Sequence, residues 1–248
     1  MSPSRPPAWF ERLSTVLPTI QESPFARFPG VGGSPDASAR HSAVLILFGS
    51  GARGPDVLLT QRASGMRSHP GQVAFPGGRI DPEDAGPEAA ALREAVEETR
   101  LDPAGVQITA TGPELFLSVT NYLVTPVVAW WGTPSAVAPG DPAEVTRVVR
   151  VPLNELTDPA NRFQAVHPRG FVSPGFGVAD LFVWGFTAGV LNWMISLAGL
   201  ERPWDLERRR PVPSPRPASG PISSPASQPA RTTLVEELTE QLDEWVTE

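Results

Sequence analysis

The chain has 248 residues, a formal net charge of -7 and no cysteine. This length suffices for one substantial domain with extensions or for two small domains. The lack of cysteine excludes disulfides, thiol catalysis and cysteine-ligated zinc or iron-sulfur centres. The acidic balance argues against broad nucleic-acid binding, which needs a basic face. We therefore expect a globular protein with no nucleic-acid partner.

Residues 1–39 predict a short helix followed by a loop. Trp9, Phe10 and Leu13 recur at helical spacing before Pro18, which is typical of an amphipathic helix packed on a core. The segment lacks the uninterrupted apolar stretch of a secretory signal. The cytoplasm is therefore the expected compartment.

Residues 40–205 have the pattern of one domain of the α+β class. A helix is predicted at 87–99, where Gly86 and Pro87 suit its beginning and a run of alanines propagates it. Strands are predicted at 42–48, 57–61, 105–110, 114–118, 123–131 and 145–151. Strands that flank a single helix, without strict alternation, favour a mixed sheet over a doubly wound parallel sheet.

Residues 181–200 contain no charged residue, and two interpretations are open for them. A helix of this length could cross a bilayer. Gly185, Gly189 and Asn192 interrupt the run, however, and residues 178–186 read as a strand that precedes a buried helix at 187–198. Because open strand edges are not tolerated in lipid, the second interpretation, with no membrane contact, is favoured.

The composition changes after Asp205. Residues 206–231 are rich in proline and serine and predict a disordered linker, because they cannot bury enough apolar surface to fold. Residues 232–248 place leucines and Trp245 on one side of a helix and acidic residues on the other. This acidic helix could dock on the domain or on a protein partner, and the sequence leaves homodimer formation open.

The densest concentration of charge lies around the helix predicted at 87–99. Seven carboxylates and one base, Arg93, lie between Asp81 and Glu98. Glu94, Glu97 and Glu98 stand at i, i+3 and i+4, so they share one helix face. Oxygen donors of this kind suit Mg²⁺ or Mn²⁺. A solvated acidic helix face is the other interpretation of the same cluster.

The same segment resembles the Nudix box, GX5EX7REUXEEXGU, in which U is apolar. Arg93, Glu94, Glu97 and Glu98 match its REXXEE core. The segment departs from the box by one additional residue before Arg93, by Ala85 where the box has Glu, and by Arg100 where it has Gly. A left-handed backbone at Arg100 would cost a non-glycine residue about 1 kcal/mol or more.

Residues 58–78, LLTQRASGMRSHPGQVAFPGG, closely resemble the additional signature of the coenzyme A pyrophosphatases in the Nudix family. In that subfamily the longer loop and the missing first Glu also occur, with the pattern GGXXDXXD, which Gly77, Gly78, Asp81 and Asp84 match. The resemblance covers residues 40–200. It implies a Nudix-like α/β/α sandwich with a mixed sheet and a catalytic loop-helix-loop.

The resemblance also implies an activity and a set of functional residues. The activity is hydrolysis of the diphosphate of coenzyme A, or of a derivative, to 3',5'-ADP and 4'-phosphopantetheine by water. The implied metal ligands are Glu94, Glu97 and Glu98, with Arg93 as their orienting partner and Mg²⁺ or Mn²⁺ as the ion. Glu144 is the candidate for a distal base or further ligand. The candidate substrate-binding residues are Arg62, Arg67, His69, Gly71, Phe75, Gly77, Gly78 and Arg79.

Two other functions remain open at this point. The first is a Nudix hydrolase of another nucleoside diphosphate, such as NADH or ADP-ribose. The second is a catalytically inactive domain that senses nucleotides or binds a partner. The intact acidic cluster weighs against the inactive domain. Its carboxylates repel one another, and an inactive domain that binds no cation would have no reason to keep them.

Overall fold

The computed structural model describes residues 3–21, 32–66, 69–118 and 120–213. All of them belong to one compact unit, Met1–Pro217. A second unit, Ala218–Glu248, lies outside the described residues, and so do Arg67, the acidic helix predicted at 232–248 and most of the predicted linker.

The helices of the described residues are α1 (Ala8–Val16), α2 (Pro87–Thr99), α3 (Leu153–Leu156) and α4 (Gly185–Leu197). The strands are β1 (Arg40–Gly51), β2 (Gly54–Arg62), β3 (Val73–Ala74), β4 (Gly77–Arg79), β5 (Val106–Thr111), β6 (Leu115–Leu117), β7 (Tyr122–Trp131), β8 (Val145–Pro152), β9 (Arg162–Val166), β10 (Val172–Val178), β11 (Leu181–Val183) and β12 (Arg209–Pro211).

The strands form two sheets. The larger has the order β3-β2-β1-β7-β5, and β4, β6 and β8 pair with β1, β7 and β2 respectively. The pair β1 and β7 is parallel, whereas the other pairs of this sheet are antiparallel. The smaller sheet has the order β11-β10-β9-β12. The α+β class and the mixed sheet predicted from the sequence are confirmed.

The larger sheet buries both of its faces, so β1 is apolar at consecutive positions. Leu45 and Leu47 pack with the small residues of α2, whereas Ile46 and Phe48 point to the opposite core. That second core includes residues of α1, α3, α4 and the smaller sheet. The result is a sheet between helical layers, as a sandwich requires.

The segment 181–200 consists of the short strand β11 and the helix α4. The prediction of one strand over 178–186 is wrong, because the chain reverses between β10 and β11 and α4 already begins at Gly185. Ala179 and Asp180 both have positive φ, 50° and 60°, which suits the tight turn of a two-residue hairpin. No helix among the described residues is long and apolar enough to cross a membrane.

The boundary predicted after Asp205 lies short of the last strand. β12 runs parallel to β9, and Val212 donates its backbone N–H to the carbonyl oxygen of Val166 at 2.9 Å. The guanidinium of Arg210 also lies 4.6 Å from the centre of the Phe163 ring. The first residues of the predicted linker therefore belong to the smaller sheet.

Candidate active site

Helix α2 presents its acidic face because its other face is occupied by the core. Ala90, Ala91 and Ala95 are fully buried against the larger sheet. Their small side chains let the helix lie close to the strands. The backbone of the helix begins after Gly86, whose φ of 138° is unsuited to other residues.

Arg93 is the centre of an ion-pair network on this face. Its Nε and Nη2 donate to the two carboxylate oxygens of Asp84 at 3.0 and 2.9 Å. Its Nη1 donates to Glu94 at 2.9 Å and to Glu97 at 3.4 Å. These hydrogen bonds, that of Asp84 above all, raise the pKa of Arg93 and lower that of Asp84. The arginine therefore stays charged and links the loop that carries Asp84 to the glutamates of α2.

Glu94 and Glu98 lie against the two glycines of β4. The backbone N–H of Gly77 donates to Glu98 at 3.2 Å. A Cβ atom at Gly78 would lie only 2.5 and 2.6 Å from the carboxylate oxygens of Glu94. The absence of a side chain at this position thus makes room for that carboxylate.

Burial makes both of these carboxylates difficult to ionise. Burial raises the pKa of Glu94, and it raises that of Glu98 to about 7. Hydrogen bonding from Gly77 and the charge of Arg62 act in the opposite direction on Glu98. The charges of Glu94 and Glu144 raise the pKa of Glu98 further, so the structure brings Glu144 into the same electrostatic site.

The donor chemistry of this site fits a divalent metal ion. Its carboxylate oxygens are the ligands that Mg²⁺ and Mn²⁺ prefer, and a cation would relieve the desolvation and mutual repulsion of the carboxylates. Across the described ranges, no group of three or more His, Asp or Glu side chains is already arranged to hold one. Glu97 is exposed and is held by Arg93. Glu98 is held separately, by the backbone N–H of Gly77.

A cleft of about 690 Å³ lies beside β4. Five of the residues predicted to bind substrate line it: Arg62, His69, Gly77, Gly78 and Arg79. His69 has a φ of 54° and pairs through Nδ1 with Oε1 of Gln72 at 3.0 Å, which orders the turn before β3. Arg62 lies within electrostatic reach of Glu98. The cleft therefore joins basic side chains to the β4 backbone, which contacts Glu94 and Glu98 of α2.

Two of the predicted substrate-binding residues lie elsewhere. Phe75 is 3% exposed and belongs to the hydrophobic core, because it follows the buried strand β3. Gly71 lines a second cavity of about 450 Å³, on the other side of the same loop, together with His167 and Trp184. We infer that Phe75 supports the loop through packing.

Eight residues that line the cleft lie outside the predicted set, and three of them have large side chains: Arg40, Tyr122 and Phe186. Arg40 and Tyr122 open two strands that pair side by side, far apart in sequence. An arginine at the beginning of one strand and a tyrosine at the beginning of another give no local motif. Only the pairing of β1 with β7 brings them together.

The fold and the site define an α+β domain with an acidic helix beside a basic cleft. The sequence profile of the NUDIX domain matches residues 39–172, and the chain belongs to this family. It is 41% identical over 154 residues to the uncharacterised Nudix hydrolase NudL of Enterobacter sp. (strain 638), an alignment that covers 59% of this chain and 77% of that protein. It is 40% identical over 171 residues to NudL of Citrobacter koseri, with 66% and 85% covered.

A solved structure, that of the Nudix hydrolase RenU from M. Smegmatis, is also similar. The two chains are 24% identical, with a TM-score of 0.41, and the match covers 48% of this chain and 73% of that one.

Proposed function

We propose that this protein is a metal-dependent hydrolase that cleaves the diphosphate of coenzyme A, or of a derivative, to 3',5'-ADP and 4'-phosphopantetheine. The observation that carries the proposal is the position of the segment 58–78. Its Arg62 and His69 line one cleft with Gly77 and Gly78, and these two glycines also contact Glu98 and Glu94 of α2. That segment is also the one that resembles the coenzyme A pyrophosphatase signature.

The basic side chains bind and orient the substrate in this proposal. A diphosphate is anionic, and arginine offers several N–H donors in a planar fork that suits phosphate oxygens. Arg62 in β2 and Arg79 in β4 both line the cleft. Together with His69 they would hold the diphosphate beside the glycine backbone of β4.

In this proposal the acidic side chains bind the metal ion and accept the proton of the attacking water. Glu94, Glu97 and Glu98 are the proposed ligands, with Mg²⁺ or Mn²⁺ as the ion. When bound, such an ion neutralises the diphosphate and lowers the pKa of a bound water. Arg93 positions Glu94 and Glu97 by the hydrogen bonds described above. Glu144 is exposed and electrostatically coupled to Glu98, so it is the proposed acceptor of the proton from the attacking water.

The proposal is tested by hydrolysis of coenzyme A, NADH, ADP-ribose and 8-oxo-dGTP in the presence of Mg²⁺ or Mn²⁺. We expect coenzyme A to have the highest kcat/KM and to give 3',5'-ADP and 4'-phosphopantetheine. Glu98→Gln keeps the shape of the side chain and its contact with Gly77 but removes the charge. We expect it to lower kcat at least about 100-fold, since metal binding supplies several kcal/mol of transition-state stabilisation.

Glu83→Gln is the matched control, because Glu83 is exposed in the loop before α2. It should retain the activity of the unmodified protein. Cleavage of another diphosphate in place of coenzyme A would support the proposed metal site and contradict coenzyme A as the substrate. A well-folded protein that binds nucleotides but cleaves none of them would favour a sensing domain.

A further inference from the structure

The pairing of β1, β4, β6 and β7 determines which side chains line the part of the cleft that lies away from the glutamates. Residues that pair across a sheet project their side chains from the same face. Val44 on β1 pairs with Gly77, Ser42 pairs with Arg79 and Val124, and Arg40 pairs with Tyr122. Leu117 on β6 pairs with Tyr122 from the other side. The cleft floor therefore runs in rows, from the glycine row at Val44 to an end row at Arg40.

The end row carries an arginine with few contacts of its own. The guanidinium of Arg40 lies 4.3 Å from the centre of the Tyr122 ring. Among the described residues, the guanidinium donates one hydrogen bond, a long one of 3.5 Å from Nη2 to the carbonyl oxygen of Thr120. Within the described ranges no carboxylate forms an ion pair with it, whereas Arg93 and Arg150 are both paired.

This arrangement leaves a charged group ready to bind an anion. Stacking on an aromatic ring fixes the plane of a guanidinium without using its N–H donors. The donors of Arg40 therefore remain available at the open end of the cleft. A planar guanidinium with free donors can bind phosphate through bidentate hydrogen bonds.

The distance along the sheet is longer than the span of one ribose, so the Arg40 side chain has to bridge the difference. Arg40 and the glycine row at Val44 are four residues apart on β1, which corresponds to about 13 Å at the usual rise of an extended strand. The long arginine side chain can shorten that separation. In coenzyme A the ribose carries the diphosphate on its 5' carbon and a further phosphate on its 3' carbon, so the two groups flank one sugar.

We propose that Arg40, supported by Tyr122, binds the phosphate on the ribose ring of the substrate and thereby selects nucleotides that carry one. This inference rests on the proposed function and names a specificity-determining residue for it. The diphosphate lies at the glycine row, beside Arg62 and Arg79. The ribose phosphate lies one sugar away, at Arg40.

Binding of two nucleotides tests the proposal without depending on catalysis. The affinities of the full-length protein for 3',5'-ADP and 5'-AMP are measured by titration calorimetry, together with those of Arg40→Gln. We expect the unmodified protein to prefer 3',5'-ADP. The substitution should lower the affinity for 3',5'-ADP by about 10- to 100-fold, the range of a hydrogen bond to a charged group, and leave that for 5'-AMP unchanged.

Kinetics with coenzyme A and dephospho-coenzyme A give the second measurement. These two substrates differ only in the 3'-phosphate, so Arg40→Gln should lower kcat/KM for the first and not for the second. The change should lie mainly in KM. Arg169→Gln, which alters an exposed arginine at a turn of the smaller sheet, is the matched control. Thermal unfolding of each variant verifies that it is folded.

The outcomes separate this inference from the proposed function. Equal losses on both substrates and both nucleotides, or no loss on either, would overturn the role of Arg40. If the unmodified protein cleaves neither form of coenzyme A, the proposed function fails. In that case a selective loss of 3',5'-ADP affinity still supports Arg40 as a ribose-phosphate site, and no selective loss refutes it.

Discussion

At the scale of single residues, the candidate site depends on a position where a side chain is missing. Gly78 faces α2, and its hydrogen atoms occupy the space in which a methyl group would meet the Glu94 carboxylate. The same carboxylate also accepts a hydrogen bond from Arg93. A methyl group here would therefore displace a proposed metal ligand without reaching the core.

We expect Gly78→Ala to lower kcat about 100-fold, the cost of moving a reacting group by about 1 Å. The free energy of unfolding should change little, since a Cβ atom would meet only the end of the flexible Glu94 side chain. Steady-state hydrolysis and urea unfolding measure the two effects. Gly65→Ala is the control, because nothing lies within 4 Å of a Cβ atom at Gly65. A Gly78→Ala variant with full activity would show that Glu94 does not act from its present position.

Arg100 provides a second test at this scale. The sequence predicts a strained residue here, and the structure confirms it with φ and ψ of 55° and 24° at the end of α2. The side chain compensates by donating from Nη2 to the carbonyl oxygen of Gly140 at 2.9 Å. This bond explains how the chain tolerates arginine where the Nudix box has glycine.

Comparing Arg100→Gly with Arg100→Ala isolates the backbone effect, because both variants lose the bond to Gly140. The glycine variant should be the more stable of the two by about 1 kcal/mol, the usual cost of a left-handed residue with a side chain. Urea denaturation of both variants measures the difference. Equal stabilities would mean that the helix end rearranges in the alanine variant.

At the scale of elements, α2 is fixed at its end by a segment from elsewhere in the chain. The backbone N–H groups of Ala138 and Gly140 donate to the carbonyl oxygens of Thr99 and Glu98 at 3.0 and 2.9 Å. The last carbonyl groups of a helix have no partner within it, so these bonds satisfy them. The same contact holds the turn that carries Glu97 and Glu98.

Gly140 allows this close approach. A Cβ atom there would overlap the carbonyl oxygen of Glu97 and lie 2.8 Å from its carbonyl carbon. We expect Gly140→Ala to destabilise the protein by about 1–3 kcal/mol, as overpacking does, and to reduce activity because the helix end must move. Chemical denaturation and steady-state kinetics measure the two losses. A variant that loses neither would show that the segment 137–140 shifts freely away from the helix.

How much the sequence predicts at this scale depends on the length and context of each element. The helix predicted at 87–99 has the bounds of α2, because its beginning and its alanine face carry local signals. The long strands β1, β2 and β7 were also found, since their apolar runs are unambiguous. The strands β3, β4 and β12 have two or three residues and exist through pairing with distant partners, which no local pattern encodes.

The site follows the same rule. The charges of α2 and the segment 58–78 could be read from the sequence because each lies within one continuous stretch. Arg40 and Tyr122 could not, because only the parallel pairing of β1 and β7 makes them neighbours. The packing of Phe75 into the core was missed for a related reason: a motif shows which residues recur, not which way they point.

At the scale of the whole molecule, segments outside the resemblance to known enzymes complete the core. Phe10 of α1 packs against Phe48 and Trp130 of the larger sheet, with ring centres 5.9 and 5.1 Å apart. Trp130 also donates from Nε1 to the carbonyl oxygen of Ser4 at 2.9 Å. The prediction that the N-terminal helix packs on the core is confirmed. The hydrophobic core of the domain thus includes residues of the N-terminal helix.

A buried arginine joins the smaller sheet to the helix α4. Arg162 is 1% exposed and donates to Oδ1 of Asn192, and it lies 4.7 and 4.6 Å from the ring centres of Phe176 and Trp204. Burial lowers its pKa to about 10, so it remains charged at neutral pH. Its Nε and Nη1 are buried without a hydrogen-bond partner among the described residues. The fold therefore carries a charge whose desolvation is only partly offset.

Replacing the charge together with its partner should therefore cost the molecule little. We expect Arg162→Met combined with Asn192→Leu to be at least as stable as the unmodified protein, because an apolar pair of similar volume removes the desolvation penalty. Arg162→Met alone should be less stable than the double variant by about 1–3 kcal/mol, since it leaves the half-buried Asn192 amide without its partner. Urea denaturation of the two variants and of Asn192→Leu completes a double-mutant cycle. If the double variant were the least stable of the four proteins, Arg162 would stabilise the fold mainly through its contacts with Phe176 and Trp204, and the desolvation penalty would be the smaller effect.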